Sequence, residues 1–188
     1  MNTIQLRIAI AIACLLITGF SCKKKSENPV DDLPPLSTTG ANTFGCLVNG
    51  QAFLPKAAGV SGREPLNFSY GMVNNKKSLI ISVEDSRSPG SAYIRLFIHA
   101  AVLKQGDDYI LAKGYPQDEN PNGHYNYRGP KASYATDYNT NDQVTGKLHL
   151  TYFDEKIASG TFWFDAVSDA GEKVEIREGR FDIKLKNF

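Results

Sequence analysis

Cysteine, histidine and tryptophan are scarce in this chain of 188 residues: three, three and one. Cys14 lies inside the first apolar run and Cys22 ends it, so Cys46 stands alone in the remainder of the chain. A lone thiol excludes an intramolecular disulfide, even in an oxidising compartment. Cys46 sits between Phe44 and Val48 on one face of an expected strand, which suits a buried structural thiol better than a nucleophile. His99, His124 and His149 are far apart and show no metal-ligand spacing such as H-x-x-x-H, so no metal and no cofactor is expected. Excess charge is also missing. Lys and Arg number 21 against 20 acids, a net +1, which gives no electrostatic case for nucleic acid. No Gly-rich phosphate loop occurs, and Gly59-Val60-Ser61-Gly62 lacks the G-x-S-x-G spacing of a nucleophile elbow. Helical periodicity is absent over any ten residues beyond the start of the chain.

What the chain does have begins with a boundary. Ile8 to Ile17 is unbroken apolar, and ten residues at 1.5 Å per residue cover only about half of a bilayer core. One charge before this run, Arg7, and small residues after it, Gly19 and Ser21, describe a cleaved secretory leader over 1–21. The stretch Ile17-Thr18-Gly19-Phe20-Ser21-Cys22 resembles a bacterial lipobox, with Gly19 where leucine is usual. The resemblance implies that Cys22 is acylated and becomes the first mature residue, with palmitate-type chains in the membrane. Several chains hold a protein stably where one does not. Lys23, Lys24 and Lys25 then favour anionic headgroups. The leader takes Arg7 and no acid with it, so the remainder is charge-balanced.

Residues 22–42 are expected to be a lipidated, flexible tether. The segment SENPVDDLPPLSTTGAN is rich in Pro, Ser, Thr and acids and offers little to bury. Residues 43–188 read as a single β-rich domain. Asn49-Gly50 between Phe44–Val48 and Gln51–Leu54 marks a type I′ hairpin, and Asn74-Asn75 a second. Ala92 to Ala100 alternates cleanly, with Ile94, Leu96 and Ile98 on the dry face and Arg95, Phe97 and His99 on the mixed one. Further strands are expected at Asp108–Ala112, Ser133–Asp137, Lys147–Phe153 and Ile157–Val167, with loops at Val60–Pro65 and Gly114–Pro130. At the end of the chain Val174 and Ile176 are out of phase with Phe181, Ile183 and Leu185. A bulge at Gly179 in one bent strand puts all five on one face, whereas a tight hairpin would pair Arg177 with Arg180 and Glu175 with Asp182. The expected fold is all-β: an antiparallel sandwich or sandwich-like barrel of about nine to ten strands.

The opening FGCLVNGQAFLP, the strand around Gly106 to Leu111 and the closing SGTF…GRFD together resemble an uncharacterised group of Bacteroidota lipoprotein domains, a domain of unknown function. The resemblance implies an outer-membrane lipoprotein of the cell envelope with a β-rich domain, and no activity or site residues. In some Bacteroidota lipoproteins acids directly after the cysteine mark surface export, so the lysines after Cys22 imply, by the same resemblance, the periplasmic side.

One segment stands out for binding. Gly114 to Asp142 holds Tyr115, Tyr125, Tyr127, Tyr134 and Tyr138 among Asn, Asp, Gly and Pro. Tyrosine offers a flat apolar face and a hydroxyl, and Asn and Asp hydrogen-bond hydroxyl-rich ligands. Tyr115, Tyr125, Tyr127 and Tyr138 are the candidate ligand-binding residues; the alternative is that they pack down on the sheet. Acids at 107–108, 118–119 and 137–142 lack any EF-hand spacing for Ca²⁺. The leading expectation is a non-enzymatic envelope lipoprotein with a protein partner. The alternatives are a glycan-binding module using loop 114–142 and a small hydrolase.

Overall fold

The structure, a computed structural model, describes residues 27–56, 64–86, 90–114 and 120–185. Cys22 and Tyr115 therefore lie outside the described residues. Among the described residues eleven antiparallel strands run in chain order: β1 Thr43–Val48, β2 Gln51–Phe53, β3 Leu66–Val73, β4 Lys76–Asp85, β5 Ser91–Ala100, β6 Asp108–Leu111, β7 Asn122–Arg128, β8 Thr136–Asn139, β9 Gly146–Phe153, β10 Ile157–Val167 and β11 Lys173–Lys184. The all-β expectation holds. The strands form one sheet in the order β2-β1-β11-β10-β8-β7-β5-β4-β3, curled into a half-barrel, and β9 and β6 extend from β10 on a second branch.

The branch point lies on one edge of β10. Residues 158–164 pair with β9, and Val167 pairs with Asn139 of β8. Phe164, fully buried, fills the joint. A Cβ at Gly123 of β7 would come within 2.9 Å of the Phe164 ring, and one at Gly146 of β9 would collide with Phe164 outright. Glycine at both places lets the two branches close on one aromatic ring. On one rim the chain just past β2 meets the end of β4. Lys56 N–H donates to the Glu84 carbonyl at 3.0 Å, and Ser86 N–H donates to the Lys56 carbonyl at 3.0 Å.

Alternation decides the core. Leu79, Ile81 and Val83 of β4 and Ile94, Leu96 and Ile98 of β5 are buried on the concave side, as their period of two predicts. Phe97 and His99 face the other way and are buried too. Cys46 is fully buried, and burial pushes its thiol well above the usual range. It is a packing group. The two Asn turns form as expected: Asn49 and Gly50 have φ of 47° and 77°, and Asn74 and Asn75 have 48° and 61°.

β11 is one strand with a bulge. Phe162 of β10 pairs with Gly179, but Phe164 pairs with Ile176, so Trp163 faces two residues, Arg177 and Glu178. The extra residue restores phase, and Val174, Ile176, Phe181, Ile183 and Leu185 are all buried. The left-handed residue is Glu178, with φ 53°, and not Gly179. Gly179 serves close approach instead: a Cβ there would meet the Phe162 ring at 2.6 Å.

Three expectations need correction. The strand expected at Ser133–Asp137 forms later, at Thr136–Asn139, because residues 131–135 make an exposed turn. Strand β7 runs through the middle of the expected loop Gly114–Pro130. Its residues are polar and aromatic, so composition hid a strand that pairs fully with β5. The described part of the expected flexible tether, 27–42, is also held in place. It opens with a 3-10 turn, Pro29–Asp32, whose Val30 N–H donates to Asn28 Oδ1 at 3.2 Å. Leu33 is buried, and the Pro34 ring lies over Gly45, where a Cβ would be 2.6 Å away. The segment then wraps a carboxylate. Asp182, 1% exposed, accepts from Ser37 Oγ at 2.6 Å, Thr39 N–H at 3.0 Å, Gly40 N–H at 2.8 Å, Ala41 N–H at 3.1 Å and Ser159 Oγ at 2.7 Å. Burial by itself would raise this carboxyl. The hydrogen bonds from Ser37, Ser159, Ala41 and Gly40 outweigh it and hold the group well below the usual carboxylate range.

A depressed folded-state value means that the ionised group stabilises the fold. That stability is complete above the unfolded value of about 4 and is lost as pH falls toward the folded one. Urea unfolding of wild type should therefore weaken on acidification below about pH 4, and Asp182→Ala should flatten that dependence. At neutral pH Asp182→Ala should cost about 3 kcal/mol and expose 37–41 to protease. A wild-type-like urea midpoint in the variant would remove Asp182 from this role.

Candidate functional site

The inward row of β7 is Gly123, Tyr125 and Tyr127, because Gly123 packs on the core ring of Phe164 and side chains repeat every second residue. Tyr125 pairs with Tyr138 of β8, so these two side chains share a face. At this end the concave side is open. Tyr125, Tyr127 and Tyr138 line one wall of a groove of about 440 Å³, and Val48, Asn49, Gln51, Ala52 and Phe53 of the β1–β2 hairpin line the other. Lys173 and Val174, at the start of β11, complete the lining.

Three of the four candidate tyrosines thus converge, and Tyr115 lies outside the described residues. Tyr134, the fifth tyrosine of the segment, is 87% exposed and is no part of the lining. The three differ in role. Tyr125 is 7% exposed, and burial, with Tyr127 and Tyr138 beside it, pushes its phenol well above the usual range. Its ring is parallel to that of Tyr127, with centroids 6.4 Å apart and planes 7° apart, and tilted 42° to Tyr138 at 5.8 Å. Tyr138 donates its hydroxyl to Glu172 Oε2 at 3.0 Å. Tyr127 is 43% exposed and presents free ring surface to the groove. The groove therefore has an apolar shelf, held by a buried ring and a tethered one, facing Asn49, Gln51 and Lys173. Asn49 Oδ1 accepts from Glu175 N–H at 2.9 Å, which ties the hairpin tip to β11. The hairpin side of the groove was missed in the sequence. Asn49-Gly50 announces a turn there, but nothing local says that the turn lies opposite β7.

The remaining polar pairs do not assemble into one centre. Ser78 Oγ and His99 Nδ1 are 2.8 Å apart across β4 and β5, with Ser78 only 2% exposed. His124 Nε2 is 2.8 Å from Asp137 Oδ1, which also accepts from Asn126 Nδ2 at 2.8 Å. Burial is the main influence on His124 and holds it below the ordinary histidine value, so the imidazole is neutral at pH 7. His149 Nδ1 lies 2.8 Å from Asp108 Oδ1, and Lys147 Nζ lies 3.2 Å from Oδ2. The hydrogen bonds from His149 and then Lys147 hold Asp108 below the usual range. These pairs occupy three separate strand pairs. Among the described residues no three His, Cys, Asp or Glu side chains converge as metal ligands.

No family model, no curated protein and no solved structure matches this chain.

The three tyrosines separate by substitution. Tyr127→Ala should change stability by less than about 1 kcal/mol, because its ring is already partly in water, while Tyr125→Ala should cost about 3 kcal/mol. Equal losses in urea unfolding would show that Tyr127 is packing rather than a free platform.

Proposed function

We propose that this chain is a lipid-anchored protein of the cell envelope that binds a carbohydrate in the β1–β2/β7–β8 groove without transforming it. The observation that carries the reading is the convergence of Tyr125, Tyr127 and Tyr138 on one groove opposite Asn49, Gln51 and Lys173. A pyranose has an apolar face that lies on an aromatic ring and an equatorial rim of hydroxyls that pairs with amides and ammonium groups. A platform braced from behind loses little freedom on binding, which favours affinity. Cys22 supplies the anchor on this reading, outer-membrane and periplasm-facing, in keeping with the lipobox-like stretch and the Bacteroidota resemblance. The non-enzymatic part rests on chemistry. Ser78 is too buried for a substrate carbonyl to reach its Oγ, and the His–carboxylate pairs lie away from the groove.

A protein partner is the second reading, and β3 supports it. This strand ends the sheet, pairs with β4, and exposes Met72 (58%) and Val73 (40%). An edge of that kind accepts an added strand.

Thermal unfolding against an oligosaccharide panel separates the two. A sugar that binds only the folded state raises stability by about 2.7 kcal/mol at a hundredfold excess over Kd. The expected result is a saturable rise that Tyr127→Ala abolishes while leaving the unliganded Tm near wild type. A flat panel would reject the carbohydrate and favour strand addition at β3. The anchor is tested separately: Cys22→Ser should move the protein from the membrane to the soluble fraction, and continued sedimentation with membranes would reject it.

A further inference from the structure

The bulge of β11 shapes the convex side as well as the core. Ile110 of β6, Lys147 of β9 and Trp163 of β10 are cross-strand partners in one row, so their side chains share the outward face. Beyond Trp163 comes the bulge, and the Arg177 guanidinium lies 5.6 Å from the Trp163 ring centre. Leu36, on the N-terminal segment, borders the same shallow pocket of about 290 Å³. The three apolar groups are well exposed: Leu36 at 65%, Ile110 at 58% and Trp163 at 41%. Around them stand Lys147, Arg177 and Arg180, with acids near each. The face is thus apolar at its centre and close to neutral around it, which suits no free anion.

The length of chain before this face says what covers it. The segment from residue 27 is folded onto the outer side of β1 and β11, where Leu33 and Pro34 lie over Gly45 and residues 37–41 close over Asp182. Only four residues, 23–26, lie between it and the acylated cysteine, so residue 27 is five residue steps from Cys22. At no more than 3.6 Å per residue these steps reach about 18 Å. Residue 27 is thus held close to the membrane, and residues 33–41 that follow it lie on the outer side of the sheet, the side that carries Leu36 and Trp163.

We infer that the convex face formed by Leu36, Ile110 and Trp163 rests on the bilayer to which Cys22 anchors the chain. Tryptophan sits favourably at a membrane interface, leucine and isoleucine enter the acyl boundary, and the Lys and Arg stems reach back to the headgroups. Lys23, Lys24 and Lys25 add attraction to anionic lipid next to the anchor. β1 shows Val48 to the groove and its neighbour Leu47 to the outer side, so a chain lying on this face keeps the groove on the side away from the lipid. The inference rests on the lipid anchor of the proposed function and is independent of the sugar.

Trp163 is the only tryptophan, so its fluorescence reports this face alone. The full-length lipidated protein is placed on phosphatidylcholine–phosphatidylglycerol vesicles, with and without brominated phosphatidylcholine, and floated. Co-flotation with a blue-shifted emission and a loss of intensity on brominated lipid is the expected result. Leu36→Glu with Ile110→Glu should co-float and regain that intensity, with an unchanged far-UV spectrum. Co-flotation without quenching would overturn the inference and leave the anchor standing. A blue shift without quenching would mean that a second copy covers the face, and would also overturn it. Failure to float would overturn the anchor and this inference together.

Discussion

The phase of β11 is the constraint on which the rest depends. A strand that buries every second residue can serve one core only if its apolar positions share parity, and those of β11 do not. One extra residue at Arg177–Glu178 repairs the phase for both neighbours at once. β1 shifts register between Gly45 and Leu47, and β10 between Phe162 and Phe164, at the same level. The same residue turns Arg177 and Glu178 out beside Trp163 and brings Gly179 against Phe162. After the bulge the even residues face outward, so Asp182 lies on the convex side, where 37–41 can surround it. Core packing, the strap and the outer pocket are three results of one insertion.

The sheet therefore has two sides with different chemistry. The concave side is dry in the middle and opens at one end, where Tyr125 and Tyr138 brace Tyr127 opposite the β1–β2 hairpin. The convex side carries the N-terminal strap, bound through a buried carboxylate whose hydrogen bonds outweigh its desolvation. Strand β1 belongs to both, with Phe44, Cys46 and Val48 turned inward and Gly45 and Leu47 turned toward the strap. On the proposed reading this separates ligand from lipid within a thin domain.

Much of the sheet was legible because strand periodicity and turn chemistry are local. The Asn-Gly and Asn-Asn turns, the alternation of β4 and β5 and the limits of β10 follow from side chains a few residues apart. The bulge was legible as well, since a parity conflict needs no tertiary knowledge, although the left-handed φ went to Glu178. Strand β7 was not legible. Asn122 to Arg128 has the alternation of a strand but the composition of a loop, and its inward tyrosines are buried only because β5 and β8 flank it. The strap was missed for a related reason. Its own residues bury little, and what orders it is a carboxylate 145 positions beyond Ser37.

By itself the sequence determined the all-β class, the hairpins, the need for a bulge and the choice of tyrosine as the candidate binding residue. Each rests on interactions between near neighbours, which the order of residues specifies directly. Only the tertiary structure decided that Tyr125, Tyr127 and Tyr138 meet Asn49 and Gln51 across one groove, that Tyr127 alone keeps an open ring face, and that Asp182 is sealed by 37–41. Those outcomes depend on how far the sheet curls and on which distant elements the curl brings face to face. Curl is a sum of small twists, bulges and glycine contacts over eleven strands, and no short stretch of the chain carries that sum.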